Sequence, residues 1–424
     1  MTCFSMGRRS ASDVHDVVIV GGGAAGISLA ASLLARASGL DVAVIDPSDV
    51  HCYQPGWTMV GAGIFQASST VRKMARVLPR GARWIKGTVE AFDPGRHLVI
   101  LNDRRTVAYR QLVVCPGLEL DWNGVDGLVD TLGRNGVTSN YRVDLAPYTW
   151  EVVQALRGGR AVFTQPPMPI KCAGAPQKAM YLSADRWRRM GRLAGIDIAF
   201  YSAAPVLFGV ADYVPALMQY VHRYDVSLNL NHTLIAVDGG SRTATFARTG
   251  PDGSKTHVRC EFDMLHAVPP QTAPRFIRAS PLADASGWVD VDPATLRHRQ
   301  FEDVHALGDV VNTPNAKTAA AARKQAPVVA HNVVSALDRR FQGRPLAKYD
   351  GYGACPLTVE LGKVVLAEFT YGGKLAPTLP QWLNVGTRPS RLAWWLKSVA
   401  LPSLYWEAML KGREWLAAPK LDTV

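Results

Sequence analysis

The sequence predicts an α/β fold in which two Rossmann-like units stand in tandem and an amphipathic helical segment closes the chain. Three observations predict it. An apolar run at residues 17–20 enters a glycine cluster and an Ala/Leu-rich stretch, and a second apolar run at 42–45 ends in Asp46. A second strand, helix and strand pattern follows at 161–165, 175–190 and 196–201. Residues 391–416 then set Trp394, Trp395, Tyr405, Trp406 and Trp415 among leucines at helical spacing. Strand-length apolar runs alternating with helix-length ones are the pattern of a parallel, doubly wound sheet.

Composition narrows the function classes. With 424 residues, 48% of them hydrophobic and 19% charged, the chain holds enough apolar surface for two ordinary domains and is not a disordered or low-complexity sequence. Its formal charge of +12 favours an anionic partner, either a membrane surface or an acidic ligand, and no nucleic-acid motif accompanies it. The six cysteines form no CxxC pair and the ten histidines no metal-binding spacing, so neither a zinc ribbon, an iron–sulfur cluster nor another metal centre is expected. No run approaches the roughly 18 apolar residues of a membrane span. The opening MTCFSMGRRSASDVHD has no apolar stretch of signal-peptide length, so a reducing compartment is expected, with an Arg- and Ser-rich mitochondrial presequence as the lesser reading.

Within the first unit, Gly21, Gly23 and Gly26 satisfy G-x-G-x-x-G directly after a strand and at the start of a helix. Small residues there permit a tight turn, close approach of a pyrophosphate, and close helix–strand packing. Asp46 follows the last glycine by about 20 residues, where an acid can hydrogen-bond an adenosine ribose. The motif specifies a dinucleotide without separating NAD from FAD. That separation comes from FEDVHALGD at 301–309, which resembles the second fingerprint of two-dinucleotide-binding flavoproteins. The resemblance implies that Gly308 and Asp309 reach the ribityl chain of FAD. A helix predicted over 317–329 would point Lys317, Thr318, Ala319 and Ala320 at the flavin ring, its dipole favouring negative charge there.

Residues 102–118 read as an antiparallel ribbon leading to a Pro-Gly exit, and the second unit is expected to begin near Asp121. Its first strand runs into QPPMPIKCAGAPQKAMYL, where a nucleotide-binding unit would carry a glycine turn. Pro166, Pro167 and Pro169 stiffen this turn and remove amide donors, so the unit keeps the shape and loses the nucleotide. Cys172 lies in the same turn, just before a helix and close to Lys171 and Lys178. That setting favours a thiolate, against the alternative of an inert buried cysteine.

Taken together, HCYQPGWTMVGAG at 51–63, IKCAGAPQKAMYL at 170–182, MLHAVPP at 264–270, GWVDVDPATLRHR at 287–299, the GD and KTAAA segments, and YDGYGACPL at 349–357 resemble the sulfide:quinone oxidoreductases. The likeness is to the two-cysteine branch that includes the mitochondrial enzymes and bacterial relatives. It implies an FAD-dependent disulfide-reductase-like fold and names Cys355 as the partner of Cys172. Sulfide would attack the bridged pair at Cys355, leaving a persulfide there and a thiolate at Cys172, although the pair is firmer than the allocation within it. Electrons would pass through FAD to quinone. The sulfur would pass to a small acceptor such as sulfite, glutathione or another thiol. Residues 137–141 read VTSNY, without the third redox cysteine of another branch.

The resemblance further implies flavin contacts from Ala24, Ala25, Gln54 and Val89, with FAD bound non-covalently. Lys178 and Lys397 become cations for a thiolate, an anionic flavin or the quinone. The expected organisation is a first part of the FAD domain over 14–120, a second Rossmann-like domain without a nucleotide motif over 121–284, a second FAD part over 285–345, and a redox-cysteine and membrane/quinone region over 346–424. The C-terminal segment reads as two short amphipathic helices broken by Pro402 and fringed by Lys397, Lys411 and Arg413. This places the chain as a monotopic protein on the cytoplasmic face of a bacterial inner membrane, with the matrix side of the mitochondrial inner membrane as the lesser alternative. A homo-oligomer is allowed. The rivals are a type II NADH:quinone dehydrogenase, a flavocytochrome sulfide dehydrogenase, and a non-enzymatic flavin protein with structural cysteines.

Overall fold

The computed structural model describes residues 14–338 and 345–421. The opening segment with Cys3, on which the presequence reading rests, lies outside the described residues. The β-branched run of the strand His15–Val20 is buried on both faces, as a central parallel strand requires. Its register against Val42–Ile45 pairs Val17 with Val42 and Ile19 with Val44, and on its other side Val18 meets Leu112 of Thr106–Val114. Ala82–Ile85 extends this sheet at one edge, while Val89–Asp93 and Leu98–Leu101 form the antiparallel ribbon beside Thr106–Val114.

After the long excursion through the middle of the chain, Val304–Ala306 returns to the same sheet and pairs in parallel with Leu112–Val114. That return delivers Gly308 and Asp309 to the end of the sheet that also carries the glycine turn.

The middle section builds a second, fully parallel five-stranded sheet in the order Val137–Thr138, Met264–His266, Gly159–Gln165, Ile196–Ser202, Val226–Leu230. A three-stranded antiparallel meander at His232–Asp238, Thr243–Thr249 and Lys255–Glu261 accompanies it. The helix Ala175–Arg189 begins at the expected position, with Pro176 in its first turn, where a missing amide costs nothing.

The hairpin Gly353–Glu360/Lys363–Phe369 packs Cys355, Leu357, Val359, Val365 and Ala367 into the core of the second unit. Tyr405, Trp406, Met409 and Leu410 are instead buried in the core of the first. The C-terminal region therefore bridges the two cores.

Two expectations are corrected here. The helix predicted over 317–329 runs from Ala319 to Leu337. Thr318 caps it, accepting from the Ala321 amide, while Lys317 is extended and bridges to Lys171. Pro402 does not break the C-terminal segment. Arg391–Trp395, a π-helical stretch Leu396–Ala400 and Leu401–Glu407 form one continuous helical run. The wider π turn relieves the clash that a proline ring makes with the carbonyl four residues earlier.

Candidate redox and dinucleotide site

The glycine turn divides its work among three positions. A Cβ on Gly21, at φ 109°, would lie 2.5 Å from the Cys115 carbonyl oxygen, and one on Gly26 would lie 1.8 Å from the Gly21 carbonyl oxygen. Gly23 differs: a Cβ there would meet nothing within 4 Å, and no side chain caps the helix Ala24–Arg36 that it starts. The turn thus presents an open, amide-rich helix N-terminus, which fits a pyrophosphate. Asp46 accepts from the Gly22 amide at 2.6 Å and from the Ser48 amide at 2.8 Å, which fixes its carboxylate beside the turn. Gly308 approaches closely from the second fingerprint, since a Cβ there would lie 3.2 Å from that of Ala25. Val89 is buried, with its backbone paired to Leu101.

Asp309 lies near two ammonium groups. Burial pushes its carboxyl up, while Lys317 and Lys171 oppose that rise. The Lys317 ammonium donates to the carbonyls of Asp309 and Val311 at 2.7 and 2.8 Å and stands 4.1 Å from the Trp288 ring centre. Its side chain secures the loop between the second fingerprint and the helix. Burial lowers Lys317 to about 8.

The cysteine pair comes together although 183 positions separate its members in the chain: Cys172 and Cys355 stand with sulfurs 3.6 Å apart. Cys172 has a φ of 51°, a left-handed conformation that costs a non-glycine residue about 1–2 kcal/mol. Its amide donates to the Lys317 carbonyl at 2.8 Å, its carbonyl accepts from the Ala175 amide at 2.7 Å, and the Tyr141 hydroxyl donates to the adjoining Lys171 carbonyl at 3.1 Å. These contacts aim the sulfur at Cys355 and hold the redox loop against the second fingerprint.

The two sulfurs are electrostatically unequal. A hydrogen bond from the Cys355 thiol, together with the cations of Lys178 and Lys397, holds Cys172 well below an ordinary thiol despite its burial. The same hydrogen bond and burial push Cys355 well above it. Lys178 Nζ donates to the Cys172 sulfur at 3.1 Å; burial disfavours its charge, but the two sulfurs outweigh that and raise it. Both directions favour the thiolate on Cys172, the sulfur to which Lys178 donates.

Lys397 corrects another expectation. It is buried, not at the fringe, and its ammonium donates to the Pro55 carbonyl at 2.8 Å. Burial, then the neighbouring Lys178 cation, lower it to about 7. Gln54 is exposed and accepts from Lys171 Nζ at 2.8 Å. Burial lowers Lys171 to about 8.

Sequence reasoning missed the support for these groups. Tyr141 and Lys171 brace the redox loop, and His51 joins the glycine turn to the C-terminal helix. Its Nδ1 lies 3.0 Å from the Gly22 carbonyl and its Nε2 2.6 Å from the Tyr405 hydroxyl. The first nitrogen must then donate and the second accept. HCYQPGW at 51–57 held the signal in its histidine and tyrosine, but the partner lies at the far end of the chain.

The Pyridine nucleotide-disulphide oxidoreductase family matches residues 15–147. A mitochondrial sulfide:quinone oxidoreductase of Dictyostelium discoideum is 40% identical over 410 residues, covering 96% of this chain and 88% of that protein. The Mus musculus mitochondrial sulfide:quinone oxidoreductase is 37% identical over 404 residues, covering 95% and 88%. The solved sulfide:quinone oxidoreductase of Aquifex aeolicus superposes with a TM-score of 0.76 at 17% identity, covering 95% of this chain and 92% of that one, a likeness of fold.

Proposed function

The chain belongs to the sulfide:quinone oxidoreductase family, and from that premise we propose that it oxidises hydrogen sulfide at Cys172 and Cys355 and delivers two electrons through FAD to a membrane quinone. The observation that supports this most directly is the unequal cysteine pair with Lys178 against the Cys172 sulfur. In the oxidised enzyme the two sulfurs are bridged. Hydrosulfide attacks the Cys355 sulfur, the bridge breaks, and the products are a persulfide on Cys355 and a thiolate on Cys172. Lys178 stabilises that thiolate, so Cys172 is the better leaving group and Cys355 the sulfur that receives sulfide.

Bound FAD supplies the two-electron acceptor that the pair itself lacks. Gly21, Gly23, Ala24, Ala25, Gly26 and Asp46 would hold its pyrophosphate and ribose, with Val89 on the adenine side. Gln54, Gly308, Asp309, Lys317, Thr318, Ala319 and Ala320 would hold its flavin half without a covalent link. Lys397 gives a second cation beside the pair. The persulfide sulfur leaves to a small nucleophile such as sulfite, glutathione or another thiol. The division into 14–120, 121–284, 285–345 and 346–424 follows the same reading.

No described helix is long and apolar enough to cross a membrane. Trp395 and Val399 are each 51% exposed on the C-terminal helical run, and Trp382 is 83% exposed in the loop before it. Aromatic and aliphatic side chains in such positions suit insertion at the headgroup level, the attachment expected of a monotopic enzyme that draws quinone from the bilayer. The curated relatives are named mitochondrial; the membrane is the matrix side of a mitochondrial inner membrane or the cytoplasmic face of a bacterial one.

The test is anaerobic. Detergent-solubilised holoprotein mixed with sulfide bleaches its flavin band and recovers it on adding a short-chain quinone, and Cys172→Ser or Cys355→Ser abolishes the bleaching while flavin stays bound. Prompt bleaching by NADH with none by sulfide would make the chain a nucleotide-driven quinone reductase.

A further inference from the structure

Between Asp49 and Glu90 the chain contains no acidic residue, yet Arg72, Lys73, Arg76, Arg80, Arg83 and Lys86 all fall within it and are all exposed. These six cations equal half of the formal charge of +12. Lys86 pairs with Asp49 and Arg72 reaches Glu407. Among the described residues no carboxylate pairs with Lys73, Arg76, Arg80 or Arg83. Local folding does not account for so one-sided a stretch: Met74 and Val77 bury the apolar side of the turn Met74–Val77, and the cations face water.

Its position gives the stretch a use. The Arg72 guanidinium lies 4.1 Å from the Trp406 ring centre, which docks the basic segment directly against the C-terminal helical run. Between them opens a crevice of about 290 Å³ walled by Tyr53, Phe65, Ser69 and Arg72 on one side and by Ser403, Trp406 and Glu407 on the other. With Arg72 reaching Glu407, the crevice offers hydroxyls and aromatic walls to the glycerol and acyl roots of a lipid, while the unpaired cations Lys73, Arg76, Arg80 and Arg83 beside it face its phosphodiester.

We propose that residues 72–83 and this crevice form a docking surface for anionic phospholipid headgroups, so that the protein selects negatively charged membrane. The inference rests on the membrane attachment proposed above and adds to it a second segment, remote in sequence from the C-terminal helices, and a lipid class. A basic side chain near an anionic bilayer contributes roughly fivefold in affinity. Removing three therefore costs about a hundredfold.

The test is co-sedimentation of the FAD-loaded protein with phosphatidylcholine vesicles and with the same vesicles containing phosphatidylglycerol. The wild type is expected to prefer the anionic vesicles, and added salt to erase the preference. Lys73→Gln/Arg76→Gln/Arg80→Gln should lose about a hundredfold in binding to the anionic vesicles, keep its weaker binding to phosphatidylcholine, and retain turnover with sulfide and a short-chain quinone. Arg248→Gln/Lys255→Gln/Arg259→Gln, an equal charge change on the meander, should bind as the wild type does. Equal wild-type binding to both vesicles, or equal losses in the two triple variants, would overturn the proposal and leave membrane attachment standing. Failure of the wild type to bind either vesicle would overturn the attachment itself and this proposal with it.

Discussion

Lys178 Nζ stands 3.1 Å from the Cys172 sulfur, reaching back from the helix that follows the redox loop, and Cys172 is the sulfur depressed well below an ordinary thiol. A charge-assisted hydrogen bond of this kind is worth about 1.5–3 kcal/mol. In Lys178→Met the sulfide-driven rate of flavin reduction is expected to fall on the order of 30-fold. Iodoacetamide labelling of the reduced pair checks the cause. In the wild type Cys172 reacts first and its rate is flat from pH 9 to pH 7; in the variant the rate drops with pH as it does for an ordinary thiol.

Lys397 makes stability depend on pH. Its folded value of about 7 lies below the ordinary 10.5, so between those values the unfolded chain binds more protons, and stability rises as pH rises through that window. Taken whole, the penalty for charging it at neutral pH is on the order of 4 kcal/mol. Lys397→Met should therefore melt higher than the wild type at pH 7 and lose part of the wild type's gain between pH 7 and 10. The same variant should oxidise sulfide more slowly. Thermal unfolding across pH, read beside turnover, separates the two effects.

His51 and Tyr405 tie the glycine turn to the C-terminal helical run. Tyr405→Phe leaves the buried His51 Nε2 without its donor, at a cost of about 1–3 kcal/mol. The expected result is earlier release of flavin on heating, with fluorescence of the freed flavin as the readout, while the anaerobic response to sulfide of protein that still holds flavin stays near the wild-type rate.

Two glycine substitutions should fail differently. Gly26→Ala drives a methyl into the Gly21 carbonyl and is expected to yield little folded protein. Gly23→Ala meets no protein atom, so it should fold and melt normally as apoprotein and bind FAD at least tenfold more weakly. Circular dichroism and flavin titration distinguish the cases.

Local chemistry made much of this structure legible in the sequence. The βαβ unit, the Gly308–Asp309 strand exit and the proline-stiffened turn are written in consecutive residues whose apolar periods and special φ requirements need no partner. Cys172 and Lys178 also lie near one another in the chain. The inward face of Lys397 was not legible, because a π-helical stretch resets the rotation of the helix through which its side chain is aimed. The His51–Tyr405 bond was hidden for a different reason: no periodicity links residues 354 positions apart. Lys171 read as a generic cation because its role depends on Gln54 arriving from another loop.

Cys355 sits in the hairpin that fills the second unit's core, while Tyr405 and Trp406 of the following helical run fill the first. The final 80 or so residues therefore pack against both cores, and the hairpin among them supplies the second sulfur. During synthesis the centre is the last part of the enzyme to come into being. A chain arrested or clipped ahead of Cys355 presents Cys172 without its partner, so the sulfur pair is gained, or forfeited, with the last hairpin.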